Sequence, residues 1–361
     1  MHAIGIDIGG TKIAGAVVTE LGEIVAEDRV ATNAADPDAM LDDVVAMVSR
    51  LRAANEVSAV GVAAPGFIDA SQSIVYYTPN IRWRNEPLRQ KLQQRIGDLH
   101  ITVDNDANAA GWAEFRFGAG RLVSDMTMLT IGTGVGGAIV TEDRLFRGGF
   151  GTGGEIGHLR IVPNGLPCGC GARGCIEQYG SGRALQRMAN DVADAGGIGS
   201  ALADARAANG GELDGHIVGD LILADDPGAL AALRRLGRHL GEACASLSAV
   251  LDPQLFVFGG GVASAGDRLL DPIKQAYLNN LPARGYHPEP DFVIAELVND
   301  AGVVGAADLA NIHAAAVERP DHPPAVGSSA SGGRGARRAA QQFKDLNSNS
   351  VGPPQQVVRT T

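Results

Sequence analysis

The chain has 361 residues, 45% apolar, 20% charged and 4% aromatic, with four cysteines and a formal net charge of −11. That is enough chain for two domains with a well-buried core. The negative balance speaks against a general nucleic-acid or anionic-membrane surface, and so few thiols do not make a secreted disulfide framework. The start MHAIGIDIGG has no basic segment ahead of a long apolar run, and no stretch of about 18 uninterrupted apolar residues follows, so a soluble cytoplasmic protein is expected.

In chain order, AIGIDIGGTKIAGAVV reads as an apolar strand, a tight glycine turn and a second strand. Asp36-Pro37 offers an N-cap with proline at the first helical position. Met40, Val44, Met47, Val48 and Leu51 then recur at helical spacing, so one face of that helix is buried. SAVGVAAPGFID is a short strand entering a Pro-Gly turn. ITVDNDANAAGWAEFRFG reads as strand, polar turn and helix, with Gly118 suited to end it. MTMLTIGTGVGGAIV repeats the strand–glycine–strand form of the opening, which hints at two related halves. A long helix is expected from Pro227 to Val250, a buried strand in QLFVFGGGV, and an apolar helix in DAGVVGAADLANIH. Strands alternating with helices indicate the α/β class. From about Glu318 the chain turns rich in Pro, Gly, Ser and Arg, and a disordered tail over 318–361 is expected.

Three glycine loops suit phosphates. In DIGGTK, Gly9 and Gly10 let exposed backbone N–H groups form an anion nest, Thr11 and Lys12 add a hydroxyl and a cation, and Asp7 stands where a carboxylate can orient hydrated Mg²⁺. A simple hairpin turn is the alternative. GTGVGG supplies Gly132, Thr133, Gly134, Gly136 and Gly137 after another apolar strand. It is not a Walker A loop, because no Gly-Lys-Ser/Thr follows. Gly259, Gly260 and Gly261 form the third loop, expected to open a helix whose N-terminus faces a nucleotide.

Two further segments carry chemistry. DNDANAAG places Asn105 and Asp106 where a strand gives way to a helix; Asp106 suits a base that takes a proton from an attacking alcohol, and equally suits a plain helix N-cap. GEIGHLRIVPNGLPCGCGARGCIEQYGS offers His158, Cys168, Cys170 and Cys175, enough donors for a closed tetrahedral Zn²⁺ site. Redox chemistry fits less well, since the spacing is C-x-C rather than C-x-x-C. Glu155 and Glu177 flank these donors. Cys244 lies in a helical pattern with Leu240, Leu247 and Leu251 and reads as core. Trp83 either walls a cleft or packs inside.

DIGGTK, GVAAPGFID, DNDANAAG, GTGVGGAIV, GEIGH, CGCGARGCIE and FGGGV occur in the order found in the ROK family of sugar kinases, and the chain resembles that family from residue 4 to about 310. CIEQYGSGRAL is most similar to the family's bacterial ATP-dependent glucokinases. The resemblance implies an α/β, two-domain, actin-like ATPase (ribonuclease H-like) fold with a cleft between the domains. The first domain would span 1–112, completed by a helix at about 301–317; the second, 113–300, would carry a zinc loop at 158–175. It implies Asp106 as catalytic base, with Asn105, Glu155, His158 and Glu177 on the sugar hydroxyls and Gly66 and Asn80 lining the pocket. His158 would serve zinc and sugar together. ATP with Mg²⁺ is the implied donor, Zn²⁺ is structural, and the assembly is a homodimer or homotetramer. An N-acetylmannosamine or other hexose kinase is the near alternative, and polyphosphate a less expected donor. A sugar-sensing repressor of the same family would need a helix-turn-helix ahead of the fold, where the first strand, beginning by about Ala3, leaves no room. An actin-type structural ATPase would have no use for the glutamate and zinc region.

Overall fold

The computed structural model describes residues 2–78 and 81–318; the expected tail after Glu318, and Asn80, lie outside the described residues. The first half runs β1 (His2–Ile8), β2 (Lys12–Val18), β3 (Ile24–Ala31), α1 (Pro37–Ala53), β4 (Val57–Ala64), β5 (Phe67–Ile68), β6 (Val75–Tyr77), β7 (Arg84–Glu86), α2 (Leu88–Ile96) and β8 (His100–Asn105). α1 begins as its sequence dictates: the Asp36 carboxylate accepts from the Ala39 N–H at 3.1 Å, and Pro37 follows. Its apolar stripe, Met40 to Leu51, is buried among Ile4, Ile6, Val17 and Val62 of the sheet. Trp83, 1% exposed, lies in this same core, so its role is packing and it does not wall a cleft.

α3 (Asp106–Phe117) leads to the second half: β9 (Met126–Ile131), β10 (Val135–Thr141), β11 (Arg144–Leu145), α4 (Glu177–Gly180), α5 (Gly182–Ala195), α6 (Ser200–Ala208), α7 (Gly215–Leu223), α8 (Pro227–Leu251), β12 (Leu255–Gly259), α9 (Asp267–Asn280), β13 (Asp291–Ile294) and α10 (Ala301–Glu318). Cys244 is fully buried on α8, as its spacing predicts. The expected division at 112/113 falls inside α3.

The sheet orders are β3-β2-β1-β4-β8 and β11-β10-β9-β12-β13. In each, the first three strands pair antiparallel and the last two join in parallel. The likeness between DIGGTK and GTGVGG is therefore architectural, since each forms the central hairpin turn of its own sheet. A separate small sheet, β5-β6-β7, projects from the first half.

α3 and α10 lie between the sheets and share cores with both. α10 sits directly on β4: a Cβ at Gly61 would fall 1.8 Å from the Ala306 carbonyl oxygen, so only a bare backbone admits the helix there. One expectation fails. The glycines after β12 do not open an α-helix but a 3₁₀ turn, Gly261–Ala265. Gly260 and Gly266 both hold positive φ, 84° and 58°, and these left-handed backbone positions confine the turn to five residues. No helix among the described residues is long and apolar enough to cross a membrane.

Candidate active site

The site begins where β8 ends. Asn105 keeps extended backbone angles, and its Oδ1 accepts from the Asn108 N–H at 3.0 Å, so Asn105 and not Asp106 caps α3. The Asn105 Nδ2 donates to the Gly66 carbonyl at 3.0 Å, tying the two expected pocket residues together. Gly66 has φ 100°, and a Cβ there would lie 2.2 Å from the Tyr77 carbonyl oxygen, so the turn after β4 requires glycine. Relieved of capping, Asp106 accepts from the Ala107 N–H of its own helix, at 2.8 Å. Its side chain opens to solvent, yet the protein crowded around it pushes its pKa up by desolvation. That combination describes a carboxylate on the floor of a cleft.

Two other carboxylates sense Asp106. Asp7, at the end of β1, is pushed up to about 6, first by burial and then by Asp106, with Lys12 opposing. Glu155, at the end of the loop that follows β11, is pushed up to about 7, first by burial, then by Asp106 and Glu177. The structure thus brings Asp7, Asp106, Glu155 and Glu177 into one electrostatic neighbourhood from four separate stretches of chain.

Behind the glutamates lies the thiol cluster. The donor atoms of His158, Cys168, Cys170 and Cys175 all lie within 4.8 Å of one another. Cys168 Sγ is 3.7 Å from His158 Nδ1, and the Sγ atoms of Cys170 and Cys175 are 3.7 Å apart. A disulfide is far shorter, whereas a tetrahedron of thiolates about 2.3 Å from Zn²⁺ has edges of roughly 3.8 Å, so these residues fit the ion. Backbone bridges Arg160–Cys175 and Pro167–Arg173 fold the loop back on itself. Glu177 joins this cluster to the second glycine loop: Oε1 is 3.6 Å from Cys168 Sγ, and Oε2 accepts from the Val135 N–H at 3.4 Å. The Phe67 ring of β5 stacks on His158, 6.3 Å between centroids, a partner that no sequence signal marked.

Of the glycine loops, Gly9–Lys12 is closed by Gly9 N–H to the Lys12 carbonyl at 3.0 Å and gripped by Thr32, whose hydroxyl donates to the Gly9 carbonyl at 2.7 Å. Gly10, Thr11 and Lys12 are exposed, free to meet a ligand. The second loop is shorter than its motif. The hairpin register pairs Val135 with Ile131, so the turn is Gly132–Gly134, while Gly136 and Gly137 are ladder residues of β10 opposite Thr130 and Leu129. In the third, Gly259 ends β12 and Gly261 borders a cavity of about 540 Å³ that Gly132 and Thr133 also line. Arg183 of α5, and His216 and Asp220 of α7, complete that cavity. They carry no motif in a single sequence, and only the packing of α5 and α7 against the loops reveals them.

The profile described as the ROK family matches residues 3–312. A glucokinase of Streptomyces coelicolor is 43% identical over 311 residues, 85% of this chain and 96% of that protein. An N-acetylmannosamine kinase of Escherichia fergusonii is 34% identical over 312 residues, 86% of this chain and 98% of that one. Among solved structures, a ROK family glucokinase from Streptomyces griseus in complex with glucose and AMPPNP superposes with a TM-score of 0.77 at 42% identity, covering 86% of this chain and 99% of that one.

Proposed function

The chain belongs to the ROK family, with its two-domain actin-like ATPase fold, and from that premise we propose that it transfers the γ-phosphoryl group of ATP to the 6-hydroxyl of glucose. The observation that carries the reading is that Asp106 acts electrostatically on both Asp7, next to the first glycine turn, and Glu155, next to the histidine–cysteine loop. A donor end and a sugar end share one carboxylate. Glucose lies in the cleft between the two halves, its hydroxyls on Asn105, Glu155, His158 and Glu177. Asp106 accepts the 6-hydroxyl proton as the oxygen bonds to the γ-phosphorus and the bond to the ADP oxygen breaks; its raised pKa brings it nearer the ideal for a base at neutral pH. The turns at Gly9–Lys12 and Gly132–Gly134 hold the phosphates, and the cavity beside Arg183 and His216 takes the rest of the nucleotide. Asp7 would orient the Mg²⁺ that accompanies ATP, which would supply positive charge to the phosphates. Four protein donors would leave zinc no open position, so the ion would clamp the loop and take no part in the transfer, with His158 also turned to the sugar.

Asp106→Asn is expected to bind glucose calorimetrically like the parent while losing roughly 10²–10⁴-fold in kcat. A variant turning over at the parental rate overturns the assignment. The N-acetylmannosamine kinase relative, at 34% identity, supports a second reading in which a 2-acetamido sugar is the acceptor, and a panel of hexoses crossed with ATP and polyphosphate decides between them. The proposal places the enzyme in the cytoplasm as a homodimer or homotetramer, which light scattering reads.

A further inference from the structure

One ion pair joins the two halves next to this site. Asp104 of β8 is almost wholly buried, its side chain 5% exposed against 24% for Arg147. Its Oδ2 accepts from Arg147 Nε at 2.9 Å, from Arg147 Nη2, and from Gln72 Nε2 at 2.9 Å. Its Oδ1 accepts from the Asn105 N–H at 2.9 Å and from Asn108 Nδ2 at 3.2 Å. One carboxylate is therefore saturated by donors from the turn before β6, from the start of α3 and from the second half. Arg147 is equally committed at its other end, where its carbonyl accepts the Gly153 N–H at 2.8 Å and closes the loop two residues before Glu155. The same loop touches the first half again at Gly151, where an added Cβ would lie 2.4 Å from the Asp69 carbonyl carbon and the Ala70 nitrogen.

We propose that Arg147 is a positioning residue which, through Asp104, fixes the Glu155 loop in register with Asn105 and Asp106, so that base and sugar-binding carboxylate address one hexose. The inference rests on the kinase reading above. A pair serving stability alone is replaceable by apolar groups and has no need of bonds into the site at both ends. Here Asp104 holds the backbone of Asn105 directly, and the guanidinium fork lays two donors, Nε and Nη2, on the single oxygen Oδ2 in a fixed direction that an ammonium cannot reproduce. Because Arg147 is the one cation paired with Asp104 among the described residues, removal of the guanidinium strands a buried charge two positions from the proposed base.

The test is steady-state kinetics of the full-length, zinc-loaded enzyme. Arg147→Met is expected to raise the glucose KM about 10- to 100-fold, since displacement by about 1 Å costs that much, with the ATP KM within twofold. Arg147→Lys keeps the charge without the fork and should fall between, and it also serves if Arg147→Met folds poorly. Asp104→Asn combined with Arg147→Met should be less impaired than the two single effects multiplied, because the stranded charge is gone. A glucose KM within twofold of the parent, or glucose and ATP KM rising together, overturns the proposal. Amide exchange gives a reading independent of turnover: residues 148–155 and 105–108 should both exchange faster in Arg147→Met, and unchanged exchange at either segment overturns it. A parent inactive on every hexose counts against the kinase reading alone, and exchange still decides the role of Arg147.

Discussion

Glu155 ionises near 4.5 in an unfolded chain but is held at about 7 in the fold, by burial, Asp106 and Glu177 in that order. Between those values the folded protein keeps a proton that the unfolded chain has released. The contribution to stability is therefore greatest below about 4.5 and is lost as pH rises through about 7. Sugar hydroxyls that donate to the carboxylate relieve the penalty. Thermal unfolding without ligand should show a midpoint falling between about pH 5 and 7, and Glu155→Gln should flatten that slope; a variant as steep as the parent places the source elsewhere. Nothing in the sequence indicates this electrostatic crowding, because Asp7, Asp106, Glu155 and Glu177 are scattered over 170 positions. Asp106 itself was legible only by half. Its local sequence fits both a base and a cap, and the structure removes the cap alone, because Asn105 keeps extended angles and supplies the cap oxygen.

The loop between His158 and Cys175 is the element whose chemistry the sequence displays most openly. Four donors of zinc-binding type stand within 18 positions, spaced by glycines, and their donor atoms do lie together. Cys168 also touches Glu177, and His158 follows Glu155 by three residues, so an ion held by the cluster would be coupled through the loop to both glutamates of the proposed sugar site. Cys168→Ala is expected to reduce bound zinc from about one per chain and to weaken glucose binding along with it. Metal analysis showing full zinc in the variant, or none in fresh parent protein, rejects the site. Glycine motifs are less informative, since the residue type permits a turn without saying where it ends. Gly136 and Gly137 belong to β10 because of the register with β9, and Gly261 starts a 3₁₀ turn because of the backbone angles on either side.

Across the whole molecule, two sheets of the same strand order pack on α3 and α10, with Asp106, the proposed base, at the start of α3. A site assembled from two halves is complete only when they close, and closure over sugar excludes water from the phosphoryl group. ATP hydrolysis without sugar should run at least about 10²-fold slower than phosphorylation of glucose, and the radius of gyration should shrink when glucose is added. Equal rates with and without sugar tell against a closing cleft. The sequence by itself determined most of the elements, the α/β class, the gathering of one histidine and three cysteines on one loop, and the order of motifs, because each depends on near neighbours: a cap, a turn, a period of apolar residues, side chains on one short loop. Tertiary structure alone decided that Arg147 meets Asp104 from 43 residues away, that Phe67 stacks on His158, and that Arg183 and His216 border the cavity of the second glycine loop. These contacts join segments whose approach is set by the packing of whole helices and sheets. No local pattern records that packing, since the energy that fixes it is summed over cores such as the one around α3 and α10.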